Sequence, residues 1–206
     1  IEAVGDHPVQ EVKLFHQANF LNALKRRGLS EHTQEKYLRQ LQIFWNWAFD
    51  QEYVEKPVKI TKLRPISREP GIFTLDYQHR LEELIKKKLN SKQRNHKLSA
   101  LNQYRAFWCL KETGMRGAEI CALKIANIDL DNKEIRIRDE ESVGFRVKGR
   151  REEVVPISNC LLEFLREDLG NRKEEEIYYC DNGHGSPHWP SVNRMSKVFS
   201  RMRDEL

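Results

Sequence analysis

From Glu11 to Arg27 the apolar residues Val12, Phe15, Ala18, Phe20, Leu21 and Leu24 recur at helical spacing, and Gly28 follows where a helix would stop. Ser30 then offers an N-cap for a second helix. Its apolar stripe is Tyr37, Leu38, Leu41, Phe44, Trp45 and Ala48, with Thr33, Lys36, Arg39 and Gln40 on the opposite side. Two such helices need further partners to cover their stripes. Between Glu55 and Gly71 the period lapses, and Pro57, Pro65 and Pro70 alternate with five basic residues, which predicts a linker.

Beyond the linker, Thr74 is an N-cap for a helix carrying Leu75, Leu81, Leu84 and Ile85. A longer helix, about Leu98 to Glu112, carries Leu101, Tyr104, Phe107, Trp108 and Leu110 and closes at Gly114. Arg116 to Leu123 reads as a short helix. After the Asp131-Asn132 turn the alternation in 134–138, 145–148 and 153–157 predicts three short antiparallel strands. The remainder predicts a helix near Cys160 to Leu169, a short strand at Ile177 to Cys180, a Gly/Pro loop and a last helix from about Ser191. The expected fold class is mostly α with a small antiparallel β-sheet: a helical domain over 1–56, a basic linker over 57–72 and an α+β domain over 73–206. The chain opens on Ile1 and closes inside a helical pattern at Leu206, so we expect a piece of a longer protein.

Composition narrows the partner. Of 206 residues 33% are charged, 39% are apolar, and the net charge is +5, a balance that favours a polyanion such as nucleic acid. The basic linker would suit a strap along phosphates, although a merely solvated linker explains it equally well. Cys109, Cys121, Cys160 and Cys180 show no C-x-x-C spacing and read as reduced thiols of a cytoplasmic protein. No apolar run is long enough for a membrane span, and no signal-like segment opens the chain.

Two places carry candidate chemistry. Thr113-Gly114-Met115-Arg116-Gly117-Ala118-Glu119 puts an arginine on the first turn of a helix, with a carboxylate three residues on to hold its guanidinium. Such an arginine can meet a phosphate, or be an ordinary helix-start ion pair. Val147-Lys148-Gly149-Arg150-Arg151 is a basic hairpin tip, either a reaching ammonium that protonates a leaving oxygen or a tip charged for solubility. Cys180, His184 and His188 have spacings that could suit zinc but lack an evident fourth ligand. Trp189 reads as a staple where the last helix begins, and Tyr178 and Tyr179 as packing residues.

In order and spacing, Thr-Gly-x-Arg-x-x-Glu, Ile-Asp-Leu-Asp, strands and Lys-Gly-x-x-x-x-x-Val-Pro resemble the catalytic domain of the tyrosine recombinases, the phage integrase family. Gly28-Leu29-Ser30-x-x-Thr33-x-x-x-Tyr37-x-x-x-Leu41-x-x-Phe44-x-x-Trp47 is similar to that family's helical core-binding (SAM-like) domain. The resemblance covers about residues 11 to 205. It implies site-specific DNA recombination through a 3′-phosphotyrosyl link and a free 5′-hydroxyl, with no metal or nucleotide cofactor. It implies a double-stranded DNA partner, with a homo-tetramer on two duplexes in the full-length protein, at the nucleoid in the cytoplasm. By the same resemblance Arg116 neutralises the non-bridging oxygens, Lys148 protonates the departing 5′-oxygen, and Glu119 supports Arg116. Thr33, Lys36, Arg39, Gln40, Arg150 and Arg151 are the candidate DNA contacts.

The chain departs from the family at one point. The family needs a His-x-x-Arg, a further His or Trp, and a nucleophilic Tyr, and none of the seven histidines here is followed by Arg at the third position. We therefore expect a DNA-binding and partial catalytic region that does not itself cleave, with a non-catalytic DNA-binding remnant or regulator as the alternative. An ordinary helix-turn-helix repressor would leave the Arg116 and Lys148 arrangement without a purpose.

Overall fold

The computed structural model describes residues 8–12, 14–56, 58–66, 72–149 and 151–206. The chain divides into two compact units, 1–71 and 72–206. In the first, α1 (Leu14–Arg26) and α2 (Glu31–Asp50) follow a short 3-10 turn at Val9–Glu11. Ser30 caps α2, its hydroxyl accepting from the Thr33 N–H. The buried face of α2 runs through Gln34, Leu38, Trp45 and Ala48, an uninterrupted helical stripe with Leu41 packed beside it.

Two stripe assignments need correction. Tyr37 and Phe44 are exposed, flanking the buried seam of α2. On α1, Phe15 and Ala18 face outward while His16 and Gln17 are buried, so the inward face is Gln17, Phe20, Leu21 and Leu24. Tyr37 and Phe44 lie at the edge of the α2 stripe, one i+3 step from Gln34 and Leu41, whereas Phe15 and Ala18 lie outside the i, i+3, i+4, i+7 set that starts at Gln17. The cover that these helices need comes partly from the chain after α2: Ile60 is buried against Leu38, Trp45 and Ala48, with Val58 and Leu63 packed beside it. The Gln42 amide donates to the Val58 carbonyl at 2.8 Å and accepts from the Ile60 N–H at 2.8 Å, taking the place of a neighbouring strand. Of the basic linker residues, Arg68 lies outside the described residues, as do Pro57 and Pro70.

In the second unit α3 (Leu75–Leu89) and α4 (Arg94–Thr113) form a helix pair, and α4 ends at Gly114 in the left-handed region at φ 65°. Then come α5 (Gly117–Ala122), β1 (Ile128–Asp129), β2 (Glu134–Ile137), β3 (Glu153–Pro156), α6 (Asn159–Gly170) and α7 (Val192–Asp204). The sheet order is β1-β2-β3, all antiparallel, with Ile135 opposite Ile128 on one side and Val155 on the other. Ile135, Ile137, Ile120, Leu161, Leu165 and Tyr179 anchor the main core, and Ile85, Phe107 and Met202 join α3, α4 and α7 in a second cluster.

The three-strand sheet therefore has a different third member from the one expected. Residues 145–148 form no ladder: Phe145 makes an isolated bridge with Glu140, and the Val147 N–H is taken by the Asp139 carboxylate at 2.7 Å. Ile177–Cys180 likewise contributes one isolated bridge, Tyr178 to Lys124. Among the described residues no helix is long and apolar enough to cross a membrane.

Candidate active site

The site is built around a helix start. Arg116 is the N-cap of α5, one position ahead of the first turn, with an extended backbone at φ −72° and ψ 146°. Glu119 takes both of its ends: one carboxylate oxygen accepts from the Arg116 backbone N–H at 2.7 Å, the other from its Nη1 at 2.7 Å. The carboxylate is 4% exposed and the guanidinium side chain 54% exposed, so a buried anchor presents an accessible cation. The hydrogen bonds from Arg116 to Glu119, and then the charge of Glu119, hold the arginine pKa above its already high ordinary value.

Gly117 lets a second helix approach at this point. A Cβ there would lie 2.6 Å from Met195 Cε and 2.8 Å from Val192 Cγ2, so the first turn of α7 packs directly on the residue after Arg116. Upstream, the Thr113 hydroxyl accepts from the Met115 N–H at 3.1 Å, which fixes the short crossing from α4. The arginine is thus set by three elements, of which the sequence suggests one.

Lys148 leaves the fold immediately after Val147, whose side chain is buried in the main core. Lys148 is exposed, and Gly149 beside it turns at φ 89°, a conformation that favours glycine. Arg151 is exposed, while Arg150 lies outside the described residues. The tip connects to Arg116 through β3: Glu153 Oε2 lies 3.7 Å from Arg116 Nη1. That carboxylate was not singled out by sequence, because its partner is 37 residues away along the chain.

The candidates on α2 belong to the first unit. Lys36 and Gln40 are exposed; Arg39 is exposed but engages Glu35 at 2.8 Å, and the Thr33 hydroxyl pairs with Ser30 at 2.9 Å. Tyr178 and Tyr179 are buried, the former with its hydroxyl 2.7 Å from Ser142 Oγ and the latter with its pKa pushed well up by burial. Trp189 is buried in the main core two residues ahead of the α7 N-cap. The His184 loop is organised by Asp181, whose fully buried carboxylate accepts from the N–H groups of Ile177, Tyr178, Gly183, His184 and Gly185. Among the described residues no three His, Cys, Asp or Glu side chains gather as metal ligands.

A buried ionic cluster supports this half of the molecule, and sequence reasoning missed it. Asp168 accepts from Arg105 Nε at 2.9 Å and from Arg172 Nη2 at 2.6 Å, while Glu176 accepts from Arg172 Nη1 at 2.8 Å. Arg172 also donates to the Tyr179 carbonyl at 2.8 Å, tying α6 to the segment that carries the Asp181 loop.

Comparison with known proteins gives these features a context. Residues 77–203 match the model of the phage integrase family. A XerC-like tyrosine recombinase of Caldanaerobacter subterraneus subsp. tengcongensis is 27% identical over 184 residues, covering 81% of this chain and 45% of the relative, so the chain spans about half that protein's length. Among solved structures, the Tn1549 transposon integrase in complex with circular intermediate DNA superposes with a TM-score of 0.71 at 19% identity, covering 98% of this chain and 66% of the other. A lambda integrase tetramer bound to a Holliday junction gives a TM-score of 0.68 at 14% identity, covering 98% and 55%. At these identities the structural likeness establishes a shared fold.

Proposed function

The chain belongs to the phage integrase family, and from that premise we propose that it is the DNA-binding and partial catalytic region of a site-specific tyrosine recombinase. In the parent protein a tyrosine hydroxyl attacks a phosphodiester, forms a 3′-phosphotyrosyl link and expels a 5′-oxygen, which leaves protonated. The 5′-hydroxyl of a partner duplex then attacks that link, forming a new phosphodiester and releasing the tyrosine hydroxyl, which completes the exchange. The observation that carries the proposal is the Arg116 guanidinium, half exposed at a helix start and anchored from beneath by a buried carboxylate.

An arginine held in this way needs little rearrangement to meet charge that builds on the non-bridging oxygens as phosphorus becomes five-coordinate. Glu119 positions it and touches no substrate. Lys148, on an exposed tip secured by buried Val147, delivers a proton to the departing 5′-oxygen. Thr33, Lys36, Arg39, Gln40, Arg150 and Arg151 hold the duplex. Arg39 exchanges Glu35 for a phosphate at small cost, since an exposed helical ion pair is worth about 0.3–0.5 kcal/mol. The substrate is double-stranded DNA, and the parent protein works as a homo-tetramer on two duplexes, at the nucleoid. These residues alone bind without cutting, because they contain no His-x-x-Arg.

The test is a salt titration of duplex binding together with a search for a covalent adduct on a nicked substrate. Neutralising about eight phosphates gives a log-log slope near −7. A slope near zero overturns the binding assignment, and an adduct formed by these residues alone overturns the division of labour. In the parent protein, Lys148→Ala lowers cleavage by about 10²–10⁴-fold while leaving affinity nearly intact, as expected for loss of a general acid.

A further inference from the structure

Arg116 is flanked by two carboxylates that differ in kind. Glu119 is buried, makes a 2.7 Å hydrogen bond and belongs to the same helix. Glu153 is 43% exposed, opens β3 and sits 3.7 Å from Nη1, beyond hydrogen-bond reach. One guanidinium facing two carboxylates leaves this spot with a net charge of about −1, the wrong sign for receiving a phosphodiester. Glu119 cannot leave without exposing an orphaned backbone N–H and a buried carboxylate. Glu153 can, because an exposed ion pair without a hydrogen bond is held by little.

We propose that Glu153 is an electrostatic gate on Arg116: it occupies the phosphate-facing cation in the DNA-free chain and must swing away before Arg116 can engage DNA. This rests on the assignment of Arg116 as the phosphate-binding arginine. The gate lowers affinity for any phosphate that arrives without displacing the carboxylate, and it keeps the guanidinium oriented meanwhile. Its neighbour Glu152 is an internal control. It lies one residue earlier, carries the same charge and pairs with Arg138 at 3.1 Å instead of with Arg116.

The experiment measures fluorescence anisotropy of a labelled duplex of arbitrary sequence over a range of salt, with thermal melts confirming that each variant is folded. Glu153→Gln tightens binding by about two- to fivefold, the range expected for loss of one exposed charge pair. It also steepens the salt slope by up to about one unit, as one more cation becomes free to displace counterions. Glu152→Gln changes affinity by less than half of that factor and leaves the slope unaltered. In an Arg116→Met background, where the cation that Glu153 faces is gone, the gain from Glu153→Gln shrinks.

Equal gains from the Glu152 and Glu153 variants would reduce the effect to net charge and overturn the gate, as would an undiminished gain in the Arg116→Met background. Absence of salt-dependent binding by the unaltered chain would overturn the DNA-binding assignment and the gate with it. Normal binding with no difference between the two glutamates overturns the gate alone.

Discussion

Replacing Asp168 by asparagine perturbs the buried ionic cluster while keeping its shape. Asp168 is the carboxylate shared by Arg105 and Arg172, and the three side chains are 8%, 4% and 6% exposed. In the variant an amide N–H₂ faces one of the guanidinium groups, and both arginines are left to Glu176, which reaches Arg172 at 2.8 Å but Arg105 only at 3.6 Å. Removing one partner of a buried ionic set leaves uncompensated charge and costs about 3–5 kcal/mol. For a domain near 150 residues, each kcal/mol lowers Tm by about 3 °C, so the loss is about 10–15 °C. Thermal denaturation at neutral pH, followed by circular dichroism, measures it. A drop under about 3 °C, corresponding to about 1 kcal/mol, would mean that the cluster is solvated and rearranges freely, and would refute the reasoning.

Gly117→Ala forces a Cβ against Met195 and Val192 and costs about 1–3 kcal/mol by overpacking, while Gly170→Ala, with nothing within 4 Å, is neutral or slightly stabilising; urea denaturation separates the two. Burial, and then the nearby Arg105 charge, hold His188 below its ordinary pKa, so the unfolded chain binds the extra proton first. Stability contributed by neutral His188 is full above about pH 6.5 and falls as pH drops toward the lowered folded pKa, and His188→Gln shows a smaller loss between pH 7.5 and 5.5; equal losses would contradict this. Burial pushes the Cys121 thiol up to about 11 and Cys109 to about 12, and Cys180 is also buried, so in the native chain Cys160 alone reacts promptly with a disulfide reagent. Four thiols react once the chain is denatured, and a second fast thiol in the native state would contradict the packing.

Local signals in the sequence located much of this architecture. Ser30 and Thr74 cap the helices they were expected to cap, and Gly114 ends α4 because its left-handed φ suits glycine. Pairing over distance was not legible. The alternation at 145–148 reports side chains alternating in burial, yet the backbone there satisfies itself through Asp139 and Glu140, and the third strand is a two-residue segment too short to carry a period. Arg105 looked like any charged helix residue because its partners, Asp168 and Glu176, come from α6 and the chain after it. Within the site, the Arg116–Glu119 pair was visible as an i, i+3 spacing, whereas Glu153, Met195 and Val192 reach Arg116 or its neighbour Gly117 only through the tertiary fold.

A single carboxylate secures both the first backbone amide ahead of α5 and the guanidinium of the same residue. Displacement of Glu119 consequently opens the helix start and removes the arginine's anchor together. The Arg116 amide proton becomes a built-in reporter, because its exchange with solvent deuterium requires Glu119 to leave. The stability of the arginine's carboxylate anchor can then be read as a protection factor at one backbone position, with no DNA present.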